Sequence, residues 1–256
     1  MIAGTAAHRA GRRTGAAART LVTVGTHGAG RPQQGHDATS RQALAQRLAA
    51  LLGWSFGGTF DAAGRYAQPL YFVPDDALVR SDADRLGIVA PDQLYGGVVP
   101  FAFVATKVIT HPLVRPDATA PWGWSHAFAR QVNDAVLRGF AAFAGDDARR
   151  ATAVLLAEGP IRIKCGSGVG GRGQYLANTI DEADRALAAL DASELAQSGI
   201  VVEEHLAAVT TYSVGQVEVD GLVASYCGTQ QTTRNRHGHE VYGGSTLDVV
   251  RGGFDA

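Results

Sequence analysis

Five of the eight residues from Gly166 to Gly173 are glycine, and short apolar runs lie on either side of them. Before the glycines, Ile161-Arg162-Ile163-Lys164 alternates apolar and polar side chains and ends in a lysine. After them, Gln174-Tyr175-Leu176-Ala177 reads as a second strand. Glycine has no Cβ and adopts positive φ cheaply, so backbone N–H groups can wrap an anion. A lysine beside such a loop adds a compact positive charge suited to phosphate. The stretch is therefore either a polyphosphate-binding flap or a hairpin turn that binds nothing.

The order of residues separates three glycine-rich phosphate motifs. A P-loop places its lysine after the glycines and opens a helix, whereas Lys164 precedes them. Gly166-x-Gly168-x-x-Gly171 has the letters of a dinucleotide fingerprint, which requires a helix to begin at the loop. The next helix signal comes later, where Thr179 and Glu182 form a capping box ahead of a helix over residues 181–190. A protein-kinase glycine loop needs a lysine on a later strand, and the chain has none after Lys164. Only two of its 23 basic residues are lysine, Lys107 and Lys164. A composition so biased toward arginine keeps lysine where a planar guanidinium does not replace an ammonium.

A chain of 256 residues, 46% of them hydrophobic, has the material for one large or two small cored domains. A net charge of −1 argues against a nucleic-acid partner. No apolar run approaches the ~20 residues that span a bilayer. Cys165 and Cys227 are too few for a disulfide framework and read as free thiols. Residues 1–20 read as a disordered leader; Arg12-Arg13 lacks the apolar segment of a twin-arginine signal, which places the chain in the cytoplasm.

Order is expected from Leu21-Val22-Thr23-Val24, a strand, followed by a loop from Gly25 to Gly35. Thr39 or Ser40 can cap a helix running to Leu52, with Leu44, Leu48, Leu51 and Leu52 on its buried face and Gly53 as its stop. Leu70 to Val73 is a second strand closed by Pro74, which completes a small α/β unit. Residues 80–94 read as connecting structure. The apolar segment Val98 to His111 delivers Lys107 and stops at Pro112, with His111 structural beside the proline. Trp122 and Trp124 read as core anchors more readily than as a recognition surface. Ser125 can cap a helix to Leu137, and Asp146 one to Ala157. Gly199 to Leu206 is a buried strand ending in Glu203 and Glu204. These carboxylates either terminate an edge or hold a base or ribose. A strand over 210–219, an Asp220-Gly221 turn and a return over 222–226 form a hairpin. Cys227, His237, His239 and Glu240 fit no familiar zinc spacing. Arg234-Asn235-Arg236 is a basic loop able to receive an anion or simply to be solvated.

This order of parts resembles the ATP-grasp superfamily: a lysine, a second lysine before a glycine strand–loop–strand, a helix, Val-Val-Glu-Glu-His-Leu, and a sheet hairpin. It is most similar to a bacterial ATP-grasp-like family of unknown function, through Tyr71-Phe72-Val73-Pro74, Phe103-Val104-Ala105-Thr106-Lys107 and Tyr212-Ser213-Val214-Gly215-Gln216-Val217. The resemblance implies an α+β chain with subdomains clasping ATP. The expected divisions are 21–105 (an N-terminal α/β domain), 106–200 (a lid subdomain) and 201–256 (an incomplete core subdomain). It implies that Lys107 and Lys164 bind the α- and β-phosphates, and that Gly168, Gly170, Gly171, Arg172 and Gly173 close over them. Glu203, Glu204, His205 and Leu206 would form the hinge that reads adenine. Mg²⁺ and ATP are the implied cofactors, and a carboxylate activated as an acyl-phosphate and a nucleophile such as an amine or thiol are the implied substrates. A homodimer fits this reading; nucleic acid and membrane do not.

Two departures stand out. Thr210-Thr211 occupies the neighbourhood where many members carry a ribose-binding glutamate. The chain also ends at Arg251-Gly252-Gly253-Phe254-Asp255-Ala256 without the family's Glu-x-Asn metal ligands, as a C-terminally truncated member would. Glu240, Asp248 and Asp255 are the acids left for a metal. Two other classes therefore stay open: a catalytically incomplete nucleotide-binding or regulatory module, and a dinucleotide-dependent oxidoreductase with a helix starting near Gly171.

Overall fold

The computed structural model describes residues 18–25, 36–168, 173–234 and 240–255. The chain divides into two compact units, Met1–Val98 and Val99–Ala256, each with its own sheets. The α+β expectation holds.

In the first unit, β1 (Thr20–Val24) lies between β2 (Ser55–Thr59) and β3 (Leu70–Pro74), parallel to both. Helix α1 (His36–Leu52) makes the crossover from β1 to β2. It begins before Thr39 and Ser40, so neither caps it. Its buried stripe is Ala38, Ala45 and Ala49, while Leu44 and Leu51 are exposed. Gly53 ends it with φ +70°, the left-handed stop expected of glycine. The connecting region holds the two-residue strand β4 (Leu78–Val79) and helix α2 (Arg80–Arg85). Val22, Val24, Phe72, Leu78, Ala83, Ile88 and Leu94 make this unit's core. A two-residue strand β5 (Val98–Val99) falls at the boundary.

In the second unit the apolar segment from Val98 to His111 does not run on as one extended element. Pro100 withholds an N–H from any ladder, and two 3₁₀ turns follow, Ala102–Ala105 and Lys107–Thr110. Thr106 sits between them. Its hydroxyl donates to Phe103 O at 2.8 Å and accepts from Val108 N at 3.3 Å, so Lys107 opens a capped turn instead of ending a strand. The helix after Ser125 is also shorter than expected: α3 spans His126–Gln131.

The centre of this unit is an antiparallel sheet in the order β6-β9-β7-β8, formed by β6 (Gly139–Ala142), β7 (Ile161–Cys165), β8 (Gln174–Ala177) and β9 (Ile200–Glu204). Side chains alternate across it. Ile161, Ile163, Ala177, Ile200 and Val202 face α4 (Gly145–Leu156) and α5 (Ile180–Ala188), packing on Ala148, Ala151, Leu155, Ala183 and Ala186. Thr179 caps α5, accepting from Glu182 N at 3.3 Å. Glu182 reaches back to Asn178, one residue before the cap. Helix α6 (Ala192–Ser198), capped by Asp191, leads through Gly199 at φ +66° into β9. The opposite face packs Ala141 and Val201 against Phe103, Val108, Leu113 and Phe143. Trp124 joins that layer, with its ring 5.1 Å from Phe143, whereas Trp122 is exposed and meets Phe101 edge-on.

A second antiparallel sheet closes the chain: β10 (Thr211–Val219), β11 (Leu222–Arg234) and β12 (Glu240–Arg251). Asp220 and Gly221 both take positive φ, +48° and +71°, as a two-residue Asp-Gly hairpin requires. The return strand runs well past Tyr226, and β12 pairs along it.

Candidate functional site

The register of the central sheet builds the site. Arg162 pairs with Glu203, Lys164 with Val201, and Gly139 with Glu203. These residues share the face that looks toward the 3₁₀ turn carrying Lys107, Val108 and His111, and Lys164 and Glu203 are diagonal neighbours on it. Lys164 and Glu203 form a salt bridge, with side chains 24% and 7% exposed. Glu203 is thus a buried carboxylate on a central strand. Of the two readings of Glu203, the one in which it terminates a sheet edge does not hold.

The two lysines come together here. Lys107 Nζ donates to Cys165 O at 2.8 Å, Gly166 O at 3.1 Å and Gly168 O at 3.0 Å. All three of its protons go to the carbonyls where β7 runs into the glycine stretch. Burial holds the Lys107 pKa below its ordinary value, and the charge of Lys164 pushes it the same way.

His111 lies beneath the pair, 4% exposed. Its Nε2 is 3.1 Å from Leu137 O and 3.8 Å from Glu203 Oε2, and its Nδ1 is 3.0 Å from Thr110 Oγ1. The Thr110 hydroxyl also reaches Lys107 O at 2.7 Å. Burial lowers the His111 pKa, outweighing the opposing pull of Glu203. Gly139 makes room for the ring, since a Cβ there would lie 2.8 Å from His111 Cδ2 and 2.9 Å from Glu203 Cβ.

The glycines divide by role. A Cβ on Gly166 would come within 2.2 Å of Ser198 O, and its N–H donates to Gly199 O at 2.9 Å. Gly166 is therefore required by backbone approach. Gly173, at φ +65°, closes the hairpin by accepting from Cys165 N at 2.8 Å. Gly168 accepts from Lys107. Gly170, Gly171 and Arg172 lie outside the described residues. No helix begins at Gly173; β8 starts at Gln174, which removes the structural basis of the dinucleotide fingerprint.

Beyond Glu203, Glu204 Oε1 accepts from Arg138 N at 3.3 Å, and the N–H groups of Glu204 and His205 donate to Arg138 O and Pro160 O. His205 Nδ1 lies 3.4 Å from Arg162, whose other amine meets Gln174 at 3.3 Å. Leu206 is exposed. Among the described residues no three His, Cys, Asp or Glu side chains converge on a metal position. Of the zinc and acid candidates, His237, His239 and the Glu240 side chain lie outside the described residues, as do Asn235 and Arg236. Cys227 is a free, exposed thiol, and Asp248 pairs with it in register on β12.

Sequence reading missed Glu203 as the partner of Lys164, together with His111 and Gly139. The alternation of β7 and β9 was visible, but their register is set by the fold.

The order of lysine, lysine–glycine hairpin and central acidic strand, carried on this antiparallel sheet, defines an ATP-grasp-like architecture. A solved structure of D-alanyl-alanine synthetase A from Vibrio cholerae O1 biovar eltor matches with a TM-score of 0.51 and 12% identity, over 88% of this chain and 74% of that one. At that identity the likeness concerns the fold alone. Carboxyaminoimidazole ribonucleotide synthase from Aspergillus clavatus, complexed with ATP, matches at a TM-score of 0.44 and 12% identity, over 84% of this chain and 55% of that one. No curated protein sequence matches. The chain belongs to the family described as "Protein of unknown function (DUF3182)", whose model matches residues 24–256.

Proposed function

We propose that this protein binds ATP by its phosphates between Lys107 and Lys164, and that it serves ATP-dependent ligation of the ATP-grasp kind. The observation that carries the reading is the reach of Lys107 Nζ into the base of the glycine hairpin that Lys164 precedes. Lys107 thereby bonds the carbonyl next to Lys164, and the charge of Lys164 is felt at Lys107; these are the chain's only two lysines. On that face Lys107, Lys164 and Arg162 stand against one buried carboxylate, Glu203. The surplus is positive, which suits a polyphosphate. Both ammonium groups have internal partners that an anion can replace, carbonyls for Lys107 and Glu203 for Lys164.

Glu203 is assigned to Lys164 here, and adenine recognition to the chain beyond it. The N–H groups of Glu204 and His205 are already used, so Leu206 and the side chains beside it are the proposed adenine contacts. In the ligase reading a carboxylate substrate takes the γ-phosphate as an acyl-phosphate and a nucleophile displaces it. Phosphoryl transfer of this kind depends on positioned cations. Mg²⁺ belongs to this reading through the resemblance. A nucleotide-binding module without turnover is the second reading, favoured by the absence of a converging acid cluster among the described residues. We place the protein in the cytoplasm; no described helix is long and apolar enough to cross a membrane.

Titration with a non-hydrolysable ATP analogue, with and without Mg²⁺, tests the site. Lys107→Ala and Lys164→Ala should each weaken binding about tenfold or more, the worth of one charge-assisted contact. Unchanged affinity in both variants would refute the assignment. Metal-dependent release of ADP when candidate carboxylic acids are added separates ligase from binding module.

A further inference from the structure

We propose that His111 is a positioning residue that takes over the Glu203 carboxylate when Lys164 turns to a phosphate, gaining one proton from solvent as it does so. The proposal rests on the phosphate-binding reading of the two lysines. It starts from a conflict in that reading. Lys164 cannot serve a phosphate fully while it holds Glu203, and Glu203 is too deeply buried to be left alone. A buried carboxylate stripped of its cation is strongly disfavoured, so its release needs a second cation nearby.

The geometry supplies one. Glu203 presents Oε1 to Lys164 and Oε2 to His111 Nε2, which is 3.8 Å away. A closure of about 1 Å makes that approach a charge-assisted hydrogen bond. The groups around the ring satisfy both of its charge states. Leu137 O accepts only, so Nε2 carries a proton in either state. Thr110 can turn its single hydroxyl proton two ways. With neutral His111 it donates to Nδ1. With the imidazolium, Nδ1–H donates to Thr110 Oγ1 and the hydroxyl proton goes to Lys107 O. No nitrogen is orphaned in either state. The transition needs a hydroxyl rotation, one proton from solvent and the approach of Nε2 to Glu203 Oε2, its N–H then shared between Leu137 O and the carboxylate.

The charged groups facing the ring are few. Glu203 comes from β9 and favours the imidazolium; Lys164 comes from β7 and opposes it. Gly139 of β6, packed on the ring, brings no side chain. Lys107 contributes its carbonyl. When Lys164 leaves Glu203 for an anion, the favourable charge is uncovered and the unfavourable one is neutralised. Both changes raise the affinity of His111 for a proton. Burial holds the ligand-free His111 pKa below its ordinary value, so proton uptake on binding is expected at pH values where the empty protein's ring is neutral.

Calorimetry measures this directly. Inorganic tripolyphosphate and a non-hydrolysable ATP analogue are titrated into the full chain near pH 6.5, in buffers of different ionisation enthalpy. Wild type should take up about one proton more per bound ligand than His111→Gln, because the proton balance of the ligand itself is common to both. Equal proton counts in the two proteins overturn the inference and leave nucleotide binding intact. Failure of wild type to bind either ligand overturns both. Should His111→Gln not fold, the ring nitrogens of wild type give the answer. On adding tripolyphosphate, one of the eight histidines should pass from neutral to doubly protonated, and eight unchanged rings would sink the proposal.

Discussion

The Lys107 ammonium donates to Gly168 O at 3.0 Å, across 61 residues of chain. Together with its bonds to Cys165 O and Gly166 O, this fastens the first half of the glycine hairpin to the 3₁₀ turn. Three bonds to one charged donor would total several kcal/mol if each kept the usual value for charged partners, but Lys107 is only half-buried. We expect Lys107→Met to cost about 1–2 kcal/mol. The local effect should be larger than the global one. The Gly168 amide, bonded to Cys165 O at 3.1 Å, should exchange with deuterium at least tenfold faster in the variant. Unchanged exchange at Gly168 would show that the ammonium does not hold the hairpin.

Lys164 and Glu203 are predicted to be coupled in stability as well as in binding. Lys164→Ala strands a carboxylate of which only 7% of the side chain meets solvent. Complete burial would cost about 3–5 kcal/mol; the partial exposure of Lys164 suggests about 2–3. Replacing both residues, as Lys164→Met with Glu203→Leu, removes the stranded charge and should restore at least half of that loss. A denaturant double-mutant cycle measures the coupling. Additive costs in the cycle would mean that the pair carries no interaction in solution.

How much of this was legible in the sequence depends on which interactions are local. Strand, glycine turn and strand around Gly166–Gly173 follow from alternation and turn chemistry, and so does the Asp220-Gly221 hairpin. The lysines stood out by scarcity. What failed was reading burial from residue size: leucine dominates an apolar pattern, yet α1 lies on its sheet through Ala38, Ala45 and Ala49 and leaves Leu44 and Leu51 outside. The apolar segment that carries Lys107 folds as two 3₁₀ turns because Pro100 and the Thr106 hydroxyl compete with an extended run. Glu203 was noticed for its charge but given a ligand instead of its partner. The register joining β7 to β9 is a tertiary fact, and β6, which brings Gly139 against His111, has little to mark it in Gly-Phe-Ala-Ala.

Two glycines outside any phosphate role should be intolerant of alanine. On Gly166 the new methyl would lie 2.2 Å from Ser198 O, and on Gly139 2.6 Å from Val202 O. Both obstacles are backbone atoms that cannot rotate away, so each substitution should cost about 1–3 kcal/mol. Gly145→Ala serves as the control, because its nearest neighbour is the mobile end of Arg149 at 3.8 Å. Thermal melts should separate the three, with Gly145→Ala near wild type. A Gly166→Ala protein as stable as the control would contradict the close approach to the 198–199 backbone.

The buried histidine also sets how stability responds to pH. His111 is held below its ordinary pKa, first by burial and against the pull of Glu203. A lowered folded-state value means that the unfolded chain binds the proton more tightly. Stability associated with neutral His111 is therefore complete above the unfolded value of about 6.5 and is lost as pH falls through the folded one. Wild type should melt lower at pH 5.5 than at pH 7.5. His111→Gln keeps an amide donor for Leu137 O but cannot be charged, so its melting temperature should fall less over the same interval. Bound tripolyphosphate should reverse the trend in wild type, because the proton that destabilises the empty protein is the one the loaded protein retains. Identical pH slopes for wild type and His111→Gln, with ligand and without, would place the acid sensitivity at other groups and remove His111 from the phosphate site.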